Sequence, residues 1–297
     1  MDSALTTVAL PVALAIVMLG LGLSLTLDDS RRVGREPRAV ALALTCQLAV
    51  LPLICFGLVL AFDLSPVLAV GMLLLAASPG GTTANLYSHL FHGDVALNIS
   101  LTAINSLVAV VTLPLVTNLA FGYFDPDLGT GEVGLQLGKV LQVFAIVLVP
   151  VAIGMLVRNR SASFADRMDR PVRALSVVVL VAVIAGTVLA ERENISGYLA
   201  DVGVVSLVFC LCSLGLGYGV PRLLDVSHRQ AIACSMEIGI HNSTLAIAIA
   251  ISVLDSVTLA VPAAVYAVVM FPTAAVVGAL ISRLRDDDQT PMVSAAT

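Results

Sequence analysis

One apolar segment of this sequence is interrupted at its centre by residues that a helix inside a lipid bilayer rarely carries. The segment covers residues 66–90, and its middle holds the run Ser78, Pro79, Gly80, Gly81. Proline removes a backbone donor and glycine lowers helix stability. Inside lipid, the backbone groups freed by such a break must find other partners or line a polar cavity. The run therefore predicts two half-helices joined by unwound backbone near the middle of a membrane.

A second interruption of this kind lies in the other half of the chain. Residues 235–248 belong to another apolar segment but carry the polar side chains Glu237, His241 and Asn242. Broken helices in matching positions of two halves are typical of the binding site of a secondary transporter. The sequence thus predicts a membrane protein with a polar site at mid-membrane.

The composition supports a chain that crosses the bilayer many times. Hydrophobic residues make up 59% of it and charged residues 12%, whereas soluble domains are nearer half apolar and a quarter charged. A bilayer core of about 30 Å is spanned by about 20 apolar residues. We therefore predict an all-α, polytopic membrane protein with nine transmembrane helices, spans 1 to 9, at residues 5–27, 39–61, 66–90, 94–120, 136–157, 171–190, 203–221, 228–253 and 258–282.

The basic residues predict the orientation of the chain. Thirteen of the 15 Lys and Arg residues follow spans 1, 5, 7 and 9, whereas the other connections are rich in Asp and Glu. Basic loops stay on the cytoplasmic side. We therefore expect a protein of the inner (plasma) membrane with its N-terminus outside and its C-terminus in the cytoplasm. The polar residues 286–297 are expected to form a disordered cytoplasmic tail, and no nucleic-acid partner is expected.

Two parts of the chain have the same pattern in opposite orientations. Broken span 3 leads through a short loop to span 4, and broken span 8 leads through a short loop to span 9. Span 3 is predicted to start outside and span 8 inside. This pattern indicates an inverted repeat whose broken spans cross, with a first half that lacks its first helix.

Glu237 is the only acidic residue predicted to lie deep within a span. A charge at the bilayer centre costs roughly 2.5–3.5 kcal/mol or more, and no Lys or Arg is predicted at that depth. The carboxyl group must therefore be protonated or bind a cation. Span 4 offers oxygen donors on one helix face, because Asn98, Thr102 and Asn105 recur at i, i+4 and i+7. Together with Asn85 after the first break, they favour a cation or proton site.

The sequence alone leaves other interpretations open. Glu237 could be a protonated, hydrogen-bonded side chain, and the polar face of span 4 could serve only helix packing. Glu237 and His241 at i and i+4 could be half of a transition-metal site, but no further His or Cys has matching spacing. An intramembrane enzyme is disfavoured, since the sequence has no H-E-x-x-H or G-x-S-x-G motif.

The motifs around these residues resemble the bile acid:sodium symporter family. The resemblance is carried by PGGTTANL, GDVALNISLT and EIGIHNSTLAIA, and it extends from about Leu5 to Arg285. It implies a core domain with two crossing broken helices and a panel domain, in a nine-helix variant of the family. The panel would comprise residues 1–36 (span 1) and 126–195 (spans 5 and 6). The core would comprise residues 37–125 (spans 2–4, first crossover 78–85) and 196–285 (spans 7–9, second crossover 235–243).

The resemblance also implies which residues bind ligands. A first sodium site would consist of oxygen donors from three elements: Asn85, Asn98, Thr102 and Glu237. A serine that the family carries beside the first of these is Ala84 here. A second sodium site, altered in this chain because His241 replaces a glutamine, would consist of Gln47, Glu237, Ile238, Ile240 and His241. Substrate contacts at the starts of the half-helices would be Thr82, Thr83 and Asn242.

These features predict a Na⁺-coupled symporter of an organic anion that works by alternating access. One or two Na⁺ ions, the organic anion and the bilayer are the expected partners, and a monomer is compatible with them. The anion, a bile-acid-like or steroid-like molecule or a small carboxylate, would be held by half-helix dipoles and bound Na⁺. A proton-coupled transporter that uses Glu237 and His241 is the alternative. No enzymatic activity is predicted.

Overall fold

The computed structural model describes residues 36–81, 83–126, 149–150, 152–168 and 195–284, and short stretches at 15–16, 19–20, 22–23, 171–172, 174–175 and 178. These residues are helical or lie in turns, and they contain no strand beyond one isolated β-bridge. Spans 1, 5 and 6 lie largely outside the described residues. The all-α prediction is therefore confirmed for the part of the chain that the structure describes.

Eight helices make up most of the described structure. Their limits are α1 Pro37–Ala61, which contains a π-helical turn at Cys46–Val50, α2 Pro66–Ala76, α3 Thr83–Leu90, α4 Val95–Phe124, α5 Ile195–Leu223, α6 His228–Gly239, α7 Ser243–Ser252 and α8 Val257–Ile281. Two further short helices cover 152–160 and 162–168.

Polar side chains begin four of these helices. The side chains of Asp94, Ser227, Asn242 and Ser256 accept hydrogen bonds from the backbone N–H three residues later, at the starts of α4, α6, α7 and α8. Each cap satisfies a donor that the first helical turn leaves free. The helix starts are thus encoded locally, even where the helix lies in an apolar environment.

Several helices have the length and hydropathy of membrane spans. α1, α8 and residues Val202–Leu223 of α5 pass this test singly, and α4 passes it as two segments inclined by 53°. The bend falls four residues before Pro114, where a proline removes a helix hydrogen bond and crowds the preceding carbonyl. One face of α4 exposes apolar side chains at every fourth position: Leu107, Val111, Leu115 and Leu119. The chain is a multi-pass membrane protein.

The buried apolar residues fall into two separate clusters. The larger cluster draws on all eight labelled helices. The smaller one joins Leu23, Ala165 and Val172, with Leu19 and Val157 packed against it. Gly154 lies so close to the backbone of residues 19–23 that a Cβ atom there would overlap it. Residues near spans 1, 5 and 6 therefore pack mainly with one another, and Met155 also contacts the larger cluster.

Both broken spans are present, but the unwound segments are shorter than the predicted crossovers. The first unwound segment follows α2 and ends where α3 begins at Thr83. The second covers only residues 240–242, since α6 remains helical through Gly239. A Cβ atom on Gly239 would overlap the Leu214 side chain of α5. This glycine therefore permits close helix packing, and it remains within the helix.

Candidate functional site

The two unwound segments cross and pair through their backbones. Gly80 and His241 form an antiparallel bridge. The N–H of Gly81 donates to the Ile240 carbonyl at 2.7 Å, and the N–H of Asn242 donates to the Pro79 carbonyl at 2.8 Å. α6 packs against α3 and α7 against α2 on either side of this crossing. Each break thus satisfies backbone groups of the other, which is the condition for unwound backbone inside a membrane.

Glu237 lies beside this crossing with no exposed surface. Thr102 Oγ1 donates to Glu237 Oε2 at 2.5 Å, and Asn105 Nδ2 donates to Oε1 at 3.3 Å. The backbone N–H of Gly80 also donates to the carboxylate. The buried residues that the structure describes include no Lys or Arg. The carboxylate therefore has hydrogen-bond donors around it but no Lys or Arg side chain to balance its charge.

Three asparagines of α3 and α4 keep a buried amide oxygen without a hydrogen-bond partner: Asn85, Asn98 and Asn105. Asn98 Nδ2 donates to the Ala233 carbonyl at 2.7 Å. Because a carbonyl oxygen cannot donate, its Asn98 partner must be the amide NH₂ group, and the remaining Asn98 atom is the free oxygen. Buried acceptors of this kind normally find a partner, so they indicate a site for a cation or a donor.

Gln47 supplies a fourth unpartnered amide oxygen. Its Nε2 donates to the Ser78 carbonyl at 3.0 Å, which leaves Oε1 buried and free. The residue lies in the π-helical turn Cys46–Val50 of α1. Such turns widen a helix locally and are frequent at functional sites. The π-turn thus presents Gln47 to the first unwound segment.

His241 is enclosed by aromatic rings. Its ring stacks on Phe209 with centroids 5.4 Å apart, and Tyr266 meets it edge-on at 5.4 Å. His241 Nδ1 lies 3.3 Å from the Ser78 carbonyl and 3.4 Å from Gln47 Nε2, and Nε2 is buried without a partner. With a proton on Nδ1, the ring donates to Ser78, and Nε2 offers a free lone pair.

The carbonyls that end α6 have unusual partners. Tyr266 Oη donates to the Gly239 carbonyl at 2.8 Å, and the Ile240 carbonyl accepts from Gly81. Asn242 N–H would bond the Ile238 carbonyl in a continuous helix, but here it donates to Pro79. The break therefore releases the Ile238 carbonyl from its helical hydrogen bond.

The predicted substrate residues lie at the starts of α3 and α7. Thr83 is the first residue of α3 and is exposed, and Asn242 caps α7 by accepting from the Leu245 N–H at 3.0 Å. Thr82 lies outside the described residues. Ser243, the first residue of α7, keeps a buried hydroxyl without a partner. The two half-helix N-termini thus flank the crossing.

Sequence reasoning missed some residues of this site. Gly80 packs on Glu237, Ser78 accepts from Gln47 and lies beside His241, and the rings of Phe209 and Tyr266 enclose the histidine. The sequence predicts Asn105 as an oxygen donor on the polar face of span 4, but neither predicted sodium site includes it, although its i+3 spacing from Thr102 places it on the same face. Tyr266 could also have been identified from the sequence, because its polar hydroxyl lies within an apolar span and needs a hydrogen-bond partner there.

A multi-pass helical protein whose two broken helices cross beside a buried carboxylate is a membrane transporter by architecture. A model of the sodium bile acid symporter family matches residues 11–198, more than half of the chain. The chain therefore belongs to the sodium bile acid symporter family, as the sequence motifs indicated. Members of this family are transporters and not enzymes.

Related proteins come from bacteria, plants and animals. The chain is 32% identical over 262 residues to the uncharacterized sodium-dependent transporter YocS of Bacillus subtilis (strain 168), covering 86% of this chain and 77% of that protein. It is 32% identical to the probable chloroplastic sodium/metabolite cotransporter BASS1 of Arabidopsis thaliana, covering 86% and 62%. It is 34% identical to sodium/bile acid cotransporter 4 of Rattus norvegicus, covering 80% and 54%. The chain thus spans between about half and three quarters of these relatives.

Proposed function

We propose that this protein is a Na⁺-coupled secondary transporter of an organic anion and works by alternating access. The observation that carries the proposal is the environment of Glu237. Its carboxylate is fully buried with no Lys or Arg among the buried residues described. It accepts from Asn105, and Asn98 and Asn105 of α4 each keep an amide oxygen without a partner. An uncompensated charge in such a place is costly unless a cation joins it. Hard oxygen donors around a carboxylate suit Na⁺.

The first proposed sodium site lies between α3, α4 and α6. It consists of Asn85, Asn98, Thr102 and Glu237. Two of these residues keep free buried oxygens, and Thr102 contacts the carboxylate directly. The family serine that is Ala84 here supplies no oxygen, whereas Asn98 does. The donor set therefore fits one cation without the serine.

The second proposed sodium site lies between α1 and the end of α6. It consists of Gln47, Glu237, the carbonyls of Ile238 and Ile240, and His241. The free oxygen of Gln47 and the released carbonyl of Ile238 support it. His241 changes its chemistry, because a neutral ring offers one nitrogen lone pair, whereas a protonated ring repels Na⁺. We propose that this site is weaker than the first and is sensitive to pH.

The substrate is proposed to bind where α3 and α7 begin, near Thr82, Thr83 and Asn242. A helix N-terminus carries free N–H groups and partial positive charge, which favour an anion. The described buried residues include no Arg or Lys that could bind the anion instead. Bound Na⁺ and the two helix ends would together balance a substrate carboxylate. Na⁺ and the substrate would then both favour the conformation in which the crossing is ordered, and coupling between them requires such a common conformation.

The remaining architecture is also a proposal. The order of the helices supports nine spans with an inverted repeat. In both α2–α3–α4 and α6–α7–α8, a pair of half-helices leads to a long helix that begins with a polar cap. The two separate apolar clusters support a core and a panel domain. The distribution of Arg supports an external N-terminus and a cytoplasmic C-terminus in the inner membrane.

Uptake into proteoliposomes tests this function. Purified protein would be reconstituted and offered labelled bile acids, steroid sulfates and small carboxylates under an inward Na⁺ gradient, under a proton gradient, and under neither. We expect uptake of at least one anion that depends on the Na⁺ gradient and is lost in Glu237→Gln. Uptake driven equally well by a proton gradient without Na⁺ would favour the proton-coupled alternative instead.

A further inference from the structure

A cavity of about 850 Å³ lies at the end of the larger apolar cluster, one half-helix away from the crossing. It is formed where α3 ends, α4 and α6 begin, and α8 ends. Most of its polar lining is basic, with Asp94 as the one carboxylate; the basic residues are His89, His92, His228, Arg229 and Arg283. At about 1.5 Å per residue, the eight residues of α3 separate it from the first unwound segment by roughly 12 Å. The cavity is thus distinct from the site around Glu237.

The backbone holds the walls of this cavity in place. The N–H of Asp94 donates to the Arg229 carbonyl at 2.9 Å, which ties the loop after α3 to the start of α6. His92 has a φ of 62°, and this left-handed turn lets the Gly93 N–H donate to the Ser88 carbonyl at 2.7 Å. A Cβ atom on Gly93 would crowd Ser88 and Ile232. The loop therefore has a defined shape that requires a glycine.

The charges of the cavity are available to a ligand. Within the described part of the chain, neither Arg229 nor Arg283 forms an ion pair. The one carboxylate in the lining, Asp94, already accepts from the Leu97 N–H at 3.0 Å as the cap of α4. His228 is held by Tyr218, whose Oη lies 2.9 Å from Nδ1. Guanidinium groups and imidazole N–H groups that line one cavity supply the donors that a phosphate group accepts from.

Exposed apolar side chains continue away from the cavity. Leu284 lines it, and Leu280 and Val276 precede Leu284 at helical spacing on α8, with exposed fractions of 52%, 59% and 61%. Leu86 and Leu90 are exposed on α3, which contacts α8 through stacking of Tyr87 on Phe271. A ligand that fits both features has a phosphate headgroup and hydrocarbon chains.

We propose that this cavity binds the headgroup of an anionic phospholipid, with the acyl chains along the exposed leucines of α3 and α8. Basic pockets between transmembrane helices on the cytoplasmic side bind such headgroups. The opposite ends of the same helices carry Asp63, Asp125 and Asp255, so within the described residues that end is acidic where this one is basic. The proposal does not depend on Na⁺ coupling or on the identity of the transported anion.

Lipid binding by the full-length protein in detergent tests the proposal. Native mass spectrometry would count bound phosphatidylglycerol and bound phosphatidylcholine with identical acyl chains. We expect preferential retention of phosphatidylglycerol, and about tenfold weaker retention in Arg229→Gln/Arg283→Gln, since hydrogen bonds to charged groups are strong. Arg160→Gln, an exposed arginine outside the cavity, is the matched control and should bind like wild type.

Other results would overturn the proposal. Equal retention of both lipids, or unchanged retention in the double variant, would show that the arginines do not select a lipid headgroup. If inorganic phosphate at millimolar concentration displaced the lipid and stabilised the protein equally, the ligand would be free phosphate. If phosphatidylglycerol bound only after Asp286, Asp287 and Asp288 were replaced by Ser, the occupant of the cavity would be the acidic C-terminal segment of this chain. Arg283→Gln alone, at an exposed helix end, provides a second variant should the double variant fail to fold.

Discussion

Gly80 lies directly against the carboxyl group of Glu237. A Cβ atom built on Gly80 would overlap Glu237 Oε1 and Cδ, and it would lie 2.7 Å from the Glu237 carbonyl oxygen. The same glycine pairs with His241 across the crossing. The two breaks and the carboxylate are therefore one packed unit, in which the first unwound segment sets the position of the acidic side chain on α6.

Gly80→Ala should disturb this unit. The added methyl group meets backbone as well as the carboxylate, so the crossing must shift. Overpacking of this kind costs about 1–3 kcal/mol, and we expect a lower melting temperature together with weaker stabilisation by Na⁺. Gly57→Ala is the matched control, because nothing lies within 4 Å of a Cβ there. Equal Na⁺ responses in the two variants would contradict the proposed role of Gly80.

Thr102→Val should weaken Na⁺ binding while preserving the volume of the side chain. Thr102 Oγ1 donates to Glu237 Oε2 at 2.5 Å, and a hydrogen bond to a charged group contributes about 1.5–3 kcal/mol. We expect the apparent dissociation constant for Na⁺, from titrations of thermal stability, to rise about tenfold or more. Thr102→Ser should restore most of the affinity.

A threonine on the same helix provides the control for this measurement. Thr112 Oγ1 donates to the Val108 carbonyl of its own helix at 3.3 Å and does not contact Glu237. Thr112→Val should therefore bind Na⁺ like wild type. If both valine variants lose affinity equally, the effect comes from α4 as a whole and not from the Thr102–Glu237 contact.

His241→Gln should make Na⁺ binding less dependent on pH. A protonated imidazole would place positive charge beside Gln47 and within the second proposed sodium site, whereas a glutamine stays neutral and adds an amide oxygen. We expect wild-type affinity for Na⁺ to fall when the pH is lowered far enough to protonate His241, and the variant to change less. Identical pH profiles for binding and uptake would refute a role for protonation of His241.

The proposed orientation can be tested by labelling engineered cysteines on intact cells. Four native cysteines are buried and Cys212 is partly buried, so background labelling should be low. A membrane-impermeant maleimide should react with Asp63→Cys from outside, and with Arg160→Cys only after permeabilisation. The reverse pattern would place the arginine-rich side outside and would contradict the orientation.

The helix limits could be predicted because apolar length and breaking residues are local signals. The predicted span at 66–90 contains α2 and α3 with the break at Pro79 and Gly80, and the span at 228–253 contains α6 and α7. The exact extent of the second break could not be predicted, because Gly239 allows either unwinding or close packing. Its contact with Leu214 of α5 decides between them.

The polar face of span 4 indicated part of the site, since helical spacing alone aligns Asn98, Thr102 and Asn105. The π-turn that carries Gln47 and the backbone bridge between Gly80 and His241 had no local signal. Both depend on contacts between residues far apart in the chain. Sequence patterns therefore suggested which residue types form the site, and the fold determines how their hydrogen bonds leave oxygens free.

Thermal stability of the purified protein in Na⁺, K⁺ and choline tests the central claim most directly. A ligand at 100 times its dissociation constant stabilises the folded state by about 2.7 kcal/mol, which should raise the melting temperature by several degrees. We predict a rise that is specific for Na⁺ in wild type and in the surface variant Asp63→Asn, and that is absent in Glu237→Gln. An equal rise in Glu237→Gln, or no difference between Na⁺ and K⁺ in wild type, would contradict a sodium site at the crossing.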